Sequence, residues 1–269
     1  MDYRFVVMDL DDTILNSSES INEYTLRVIE RLKGRGVVFT LATGRTFSSA
    51  RPYAEELNIE VPIITYNGAY IRSPEAGEPL YHRPLDIETA RSIIFDAEKR
   101  GLHINFYQND QLYVAEMNSK IRWYESIAGI KARAVGKISE FISQPPTKLL
   151  LIIDDRDRHQ YFLKYFLEKY PQLEIVESKP NLIEFDAPGV NKGKALEIVA
   201  DHLDVDKEKS IGIGDSGNDL ALIKEAGLGI AMGNAPDKLK RVADMVAGDH
   251  NDNGAARIME EIFASCEMT

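Results

Sequence analysis

The chain has 269 residues and carries 32 Lys and Arg against 43 Asp and Glu, a formal net charge of −11. That excess repels polyanions at long range, and the scattered basic residues form no patch to reverse it, so nucleic acid is not an expected partner. Hydrophobic residues at 44% and charged residues at 28% have the proportions of a globular protein in water, and no apolar run reaches the roughly 18 residues of a membrane span. The single cysteine, Cys266, can form no internal disulfide, and the start Met-Asp-Tyr-Arg-Phe lacks a basic segment leading into an apolar core. Both features read as those of a cytoplasmic protein. The five histidines fall at no zinc-binding spacing, so any metal is expected to be a hard cation held by carboxylates.

In chain order, Phe5 to Met8 is a short apolar run that stops at Asp9-Leu10-Asp11-Asp12-Thr13. Such a run reads as a buried strand, and the acids then stand at its carboxyl end, where open α/β sheets bind ligands. Asp9 and Asp11 are two apart and share a face, where like charges repel unless a cation or a shared proton relieves them. Asn22 to Lys33 has Leu26, Ile29 and Leu32 at helical spacing, with Ser20 and Glu23 as a capping box and Gly34 and Gly36 beyond its end. Val37 to Leu41 reads as a second strand, stopping at Ala42-Thr43-Gly44-Arg45, followed by a helix to about Leu57 and a third strand, Pro62 to Thr65. This alternation predicts a doubly wound parallel sheet with right-handed crossovers.

From Pro84 to Pro188 the pattern changes. A helix over Asp86 to Lys99 precedes a hairpin of His103 to Tyr107 and Leu112 to Ala115 joined across Gln108-Asn109-Asp110-Gln111; a helix over Arg158 to Tyr170 precedes a second pair, Leu173 to Glu177 and Leu182 to Phe185. Lys148 to Ile153 is an additional strand. Residues 84–188 are therefore expected to form an α+β domain inserted into an α/β core of residues 1–83 and 189–269. The parallel pattern then resumes with a helix from Lys192 to His202, a strand from Ser210 to Ile213 ending at Gly214-Asp215-Ser216-Gly217-Asn218-Asp219, a helix over Leu220 to Lys224, a strand from Leu228 to Ala231, and helices at Asp237 to Val242 and Gly254 to Phe263.

If the strands ending at Asp9, Thr43 and Asp215 are neighbours, carboxylates converge with a hydroxyl, turn amides and the Lys192 ammonium. This donor set suits Mg2+ and a phosphoryl group, because a carboxylate can attack phosphorus only when cations and N–H donors offset the repulsion between them. Taken singly, Thr43 is equally a strand-end residue, Lys192 a solvated first-turn lysine and Asp219 a helix cap; only their conjunction is distinctive.

Asp9-Leu10-Asp11-Asp12-Thr13, Leu41-Ala42-Thr43-Gly44-Arg45, Asn191-Lys192-Gly193 and Gly214-Asp215-Ser216-Gly217-Asn218-Asp219 resemble, in order, the four motifs of the haloacid dehalogenase (HAD) superfamily of phosphatases. The position and content of the insertion look like those of the Cof-type branch, whose cap is of the C2B kind. The resemblance implies a Mg2+-dependent hydrolase of small phosphorylated metabolites, with Asp9 as nucleophile and Asp11 as general acid and base. It also implies Mg2+ held by Asp9, the Asp11 carbonyl and Asp215, and Asp219 behind them orienting waters or Lys192. Thr43, the amides near Leu10 and Gly44, Lys192 and Asn218 would grip the phosphate. Asp12 stands where many members have glycine and reads as a bystander, while Gly217 is expected to loosen the turn that aims Asn218.

Asn67-Gly68-Ala69 is either a substrate-proximal segment or a simple turn, and Trp123, Tyr124, Phe106 and Tyr107 are core aromatics or pocket walls. Two other functions fit part of the pattern, a sugar phosphomutase and a receiver-like phospho-aspartate signalling module. In a receiver the phosphorylated aspartate ends a later strand than the acidic pair, whereas here the third strand ends in Thr65-Tyr66-Asn67. A monomer or weak homo-oligomer is expected.

Overall fold

The computed structural model describes residues 3–75 and 77–265, so Cys266 lies outside the described residues. The apolar run Phe5–Met8 is strand β1, with all four residues buried. Helix α1, Glu23–Lys33, buries Thr25, Val28, Ile29 and Leu32, one stripe at the i, i+3, i+4, i+7 spacing. The capping box expected at Ser20 and Glu23 does not form. Asn22 takes the cap by accepting from the Tyr24 amide, and Ser20 donates instead to Asn16 Oδ1. An Asn immediately ahead of the helix already reaches the second-position amide, which leaves Ser20 outside. Strand β2 (Val38–Leu41), helix α2 (Phe47–Glu56), and strands β3 (Ile63–Thr65) and β4 (Tyr70–Arg72) follow. The end of β2 bridges to β3 in parallel through Ala42 and Ile64, and β3 turns back antiparallel into β4.

The inserted stretch contains β5 (Tyr81–His82), α3 (Ile87–Lys99), β6 (His103–Gln108), β7 (Gln111–Val114), α4 (Ser119–Ala128), β8 (Ala132–Ala134), α5 (Ile138–Phe141), β9 (Lys148–Ile152), α6 (Arg156–Lys169), β10 (Glu174–Val176) and β11 (Leu182–Asp186). The chain then completes the first pattern with α7 (Lys192–His202), β12 (Ser210–Gly214), α8 (Leu220–Glu225), β13 (Leu228–Ala231), α9 (Asp237–Lys240), β14 (Met245–Val246) and α10 (Gly254–Ser265). Two compact units result. One holds the chain up to Gly44, Arg51–Leu80 and everything from Asn191 onward; the other holds Arg45–Ala50 and Tyr81–Val190.

In the first unit a five-stranded sheet runs in the order β14-β13-β12-β1-β2, with every neighbouring pair parallel. The chain starts at β1, winds outward on one side to β2, and later returns on the other side through β12. The strand order therefore reverses at β1, and the crevice beyond the carboxyl ends there is where such sheets bind ligands. Asp9 leaves β1 and Asp215 leaves β12, one on each side of that boundary.

The second unit is built on a six-stranded sheet, β10-β11-β9-β6-β7-β8. The two residues between β6 and β7, Asn109 and Asp110, both have left-handed φ, 52° and 58°, the two-residue hairpin turn whose twist matches the strands it joins. Alternate residues Ile104, Phe106, Leu149, Leu151, Ile183 and Phe185 share a core with Ile93, Ile94 and Ala97 of α3 and Phe162 and Phe166 of α6, as the period of two requires. Lys148, in β9, is buried and pairs with the buried Glu184 of β11 at 3.2 Å.

Helices α3 and α6 are tied by the mostly buried Asp96, which accepts from Lys169 and from the Tyr165 hydroxyl at 3.0 Å. Burial alone would raise the Asp96 carboxyl, but these donors outweigh it and hold it below its usual range. A depressed carboxylate contributes stability above its unfolded pKa, near 4, and that contribution is lost as pH falls through the folded value. Asp96→Asn should therefore lower the melting temperature at pH 7, with the gap from wild type closing below about pH 4. Thermal unfolding followed across pH measures this, and a gap that stays constant into acid would contradict it.

Candidate active site

Each acid of the site owes its position to the end of a strand. The Asp9 amide donates to the Ile213 carbonyl at 2.9 Å, which continues the β1 and β12 ladder by one bond past β1. The chain then turns sharply. Leu15 N donates to Leu10 O at 3.0 Å, and within this loop Asp12 takes a left-handed φ of 54°. Lys192 is delivered by a different route, at the first position of α7, where the Asn191 side chain caps the helix by accepting from the Lys194 amide at 2.8 Å. The next residue is Gly193, and a Cβ there would lie 2.5 Å from the Ala221 carbonyl of α8. Only glycine permits this approach of two helices, and the approach carries Lys192 into the interior, fully buried.

The Lys192 ammonium donates to Asp9 Oδ1 at 2.7 Å and to Asp219 Oδ1 at 2.6 Å. Asp219 has no further oxygen to offer, because its Oδ2 accepts from the amides of Asp215 at 3.0 Å and Ser216 at 2.9 Å. Gly214 leaves room for this carboxylate, since a Cβ on it would sit 2.3 Å from Asp219 Cγ. Asp215 is less enclosed and takes a 3.5 Å contact from the Thr13 hydroxyl at Oδ1. Asp9, Asp215 and Asp219 each have an oxygen within 4.8 Å of the others.

Burial is the dominant charge effect. It raises the Asp9 carboxyl to about 7 against the opposing pull of Lys192, with Asp219 and Asp11 adding repulsion. Burial likewise raises Asp215 to about 9, helped by Asp9 and Asp219. For Lys192 burial acts to lower the pKa, but the carboxylates of Asp219 and Asp9 overcome it and the ammonium is held above its ordinary value. One ammonium thus faces three carboxylates, and two of them are driven toward protonation. A divalent cation would supply the two missing positive charges, and the all-oxygen donor set would favour a hard one. The residues fit a metal, and because both Asp219 oxygens are engaged, Asp9 and Asp215 are the side chains available to hold it.

The remaining residues singled out from the sequence fall as follows. Leu10 is buried, and the Asp11 carboxylate is not one of the three that cluster. Thr43 is buried at the end of β2, its amide donating to Ile64 O at 2.9 Å and its carbonyl accepting from Asn67 N at 3.0 Å. Gly44 lies against Asn67 and Asn218, with Asn67 Oδ1 only 2.9 Å from where a Cβ would stand. Asn218 is not loosened by Gly217. Its Nδ2 donates to Asn67 Oδ1 at 3.0 Å and its Oδ1 accepts from Ser216 Oγ at 2.7 Å, so the amide is held at both ends and its orientation is set.

Asn67, which the sequence left open, is buried in this arrangement. It and Tyr66 have left-handed φ of 57° and 51°, a strained pairing for two non-glycine residues. The apolar run ending in Asn-Gly was the one signal of it in the sequence. Thr13 stood in the first motif with no role assigned to it, because its contact with Asp215 exists only once β1 and β12 are neighbours. In the inserted unit, Phe106 belongs to the core, the buried Tyr107 hydroxyl donates to that of Tyr124 at 2.6 Å, and Trp123 is partly exposed.

The chain matches the family model of haloacid dehalogenase-like hydrolases over residues 6–259. Two Bacillus subtilis proteins named as 5-amino-6-(5-phospho-D-ribitylamino)uracil phosphatases are similar to it along their length: YcsE at 31% identity, with 96% of this chain and 94% of the relative covered, and YitU at 26% identity, with 96% and 97% covered. A crystal structure of a Thermotoga maritima protein superposes with a TM-score of 0.83 at 33% identity, covering 96% of this chain and 97% of that one. The kinship excludes a receiver-like signalling module as the identity of the parallel sheet and its acids. The chain belongs to the haloacid dehalogenase-like hydrolases, as one of the phosphoric monoester hydrolases of the Cof type, with an α/β core and an inserted α+β domain.

Proposed function

We propose that the protein is a Mg2+-dependent phosphatase that removes the phosphoryl group from phosphomonoesters of small metabolites, such as sugar phosphates, nucleotides or cofactor phosphates, through an aspartyl phosphate on Asp9. The observation that carries this reading is the buried Asp9 carboxylate at the sheet's switch point, held 2.7 Å from the Lys192 ammonium that offsets part of its charge. Mg2+ bound by Asp9, the Asp11 carbonyl and Asp215 would supply charge neutralisation between the nucleophile and the phosphoryl oxygens.

In the first half-reaction an Asp9 oxygen bonds to phosphorus and the ester P–O bond breaks, while Asp11 gives its proton to the departing alkoxide. In the second, Asp11 takes a proton from water, whose oxygen bonds to phosphorus; inorganic phosphate leaves and the Asp9 carboxylate is restored. Lys192, Thr43, the amides at Leu10 and Gly44, and Asn218 hold the phosphoryl oxygens. The Asp219 carboxylate keeps the Lys192 ammonium in place. Substrate choice is assigned to residues 84–188, the inserted domain between the two core segments 1–83 and 189–269. The two Bacillus relatives named for a ribitylamino-uracil phosphate support a phosphorylated polyol or sugar-like substrate. The reading includes a cytoplasmic enzyme acting as a monomer or weak homo-oligomer; among the described residues no helix is long and apolar enough to cross a membrane.

Phosphate release from an aryl phosphate tests the mechanism. Activity is expected to vanish on chelation, to return with Mg2+, and to fall by at least about a thousandfold in Asp9→Asn. Turnover that survives either treatment would refute the aspartyl-phosphate route.

Lys192→Met, which keeps the stem and removes the charge, is expected to cost about 10²–10³ in kcat. The same variant leaves the carboxylates of Asp9 and Asp219 buried without their cation, so its melting temperature should drop and partly recover in excess Mg2+. A variant with wild-type kcat would remove Lys192 from the site.

A further inference from the structure

We propose that Asn234 is a positioning residue for proton transfer, pinning the loop that carries Asp11 through the carbonyl of Asp12. This rests on the reading of Asp11 as general acid. The loop from Asp9 to Leu15 is tied at its entry by the bond from Asp9 N to Ile213 O and closed by the bond from Leu15 N to Leu10 O. Neither bond reaches its crest, where Asp12 is held in the left-handed region at φ 54°. The crest is held from outside. Asn234 Nδ2 donates to Asp12 O at 2.8 Å, while Asn234 Oδ1 accepts from His250 N at 3.2 Å. The His250 ring in turn faces the Asp12 side chain, its Nε2 3.6 Å from Asp12 Oδ1 and 3.3 Å from Ser17 Oγ.

Asp12 is therefore no bystander: its carbonyl and its carboxylate both meet groups from the carboxyl-terminal part of the chain. The same peptide unit continues into Thr13, whose hydroxyl reaches Asp215. The Asp12 carbonyl lies in the peptide that joins Asp12 to Thr13, so the bond from Asn234 fixes the chain immediately after Asp11 and before the Thr13 contact. Asn234 is itself on a stiff support. The turn after β13 is fastened by bonds from Met232 N to Gly214 O at 3.0 Å and from Gly233 N to Gly248 O at 2.9 Å, and a Cβ on Gly233 would come within 2.8 Å of the Gly248 backbone. A single amide side chain thus links this support to the residue after Asp11, with its donor spent on the loop and its acceptor on the His250 turn.

A general acid matters in proportion to how poor the leaving group is, and this separates positioning of Asp11 from simple loop support. The experiment compares kcat/KM, which reports the steps through leaving-group departure, for an aryl phosphate with an acidic phenol and for an alkyl phosphate. The variants are Asn234→Ala, Asn234→Asp and Asp11→Asn, each checked for folding by thermal unfolding. Asn234→Asp keeps an acceptor for His250 N but has no donor for Asp12 O. Both Asn234 variants should lose about tenfold or more on the alkyl phosphate and less than about threefold on the aryl phosphate, a fainter copy of Asp11→Asn. Equal losses on both substrates in the Asn234 variants, with the alkyl-selective loss kept in Asp11→Asn, would overturn the positioning role alone. Absence of selectivity in Asp11→Asn itself would overturn the general-acid reading and this inference with it.

Discussion

The structure of the parallel-sheet unit depends on one buried cation. The Lys192 ammonium has no solvent and is held between Asp9 and Asp219 at 2.7 and 2.6 Å. Removing one partner from a buried pair typically costs about 3–5 kcal/mol, because the other charge is stranded. Each of the three residues therefore constrains the other two, and each lies in a separate segment: the end of β1, the start of α7 and the turn after β12. The triad knits the first and last parts of the chain across the point where the inserted domain separates them in sequence.

The triad also leaves the site deliberately incomplete in charge. Asp219 is saturated by Lys192 and two amides, so it serves as an anchor. Asp9 and Asp215 retain oxygens and are pushed toward protonation by burial, with the Asp219 carboxylate repelling both. A site whose carboxylates are this poorly compensated is one in which a divalent cation is favourable, and a phosphate dianion beside it becomes tolerable only with that cation present. The small residues around it belong to the same design. Gly193 lets α7 and α8 close, and Gly214 leaves room for the Asp219 carboxylate, so backbone approach places the charged groups.

Several elements were readable because a local signal stood in the chain. The run Phe5–Met8 stops at acids, α7 begins behind its Asn191 cap, and β13 is a short apolar stretch; each reads the same way in isolation and in the fold. The hairpin at Asn109-Asp110 was equally plain, since both residues tolerate the left-handed turn it needs. Helix α4, β8 and α5, between Ala115 and Lys148, were not read. Helix α4 has Asn118 as its cap and Gly129 at φ 62° beyond its end, so its boundaries were marked, but its buried residues Ile121 and Tyr124 are too few to show a stripe. Strand β8 is three mostly exposed residues held by pairing with β7, and no local pattern can announce a strand of that kind. At the start of α1 two caps competed, and adjacency decided for Asn22.

What the amino-acid sequence determined by itself was the kind of chemistry and where its acids lie. Strand ends, a capped helix start and glycine-rich turns are local properties, and four such motifs in order identify a phosphatase family. Tertiary structure alone decided the distant partnerships: that Asp219 Oδ1 meets Lys192, that Asn67 holds the Asn218 amide, that Thr13 reaches Asp215, and that Asn234 meets Asp12. These contacts join residues up to 222 positions apart, through hydrogen bonds whose donors and acceptors meet only once the strands and helices of this unit have packed together. No periodicity or propensity records such a meeting, because it is set by sheet order and by the close packing of helices against it.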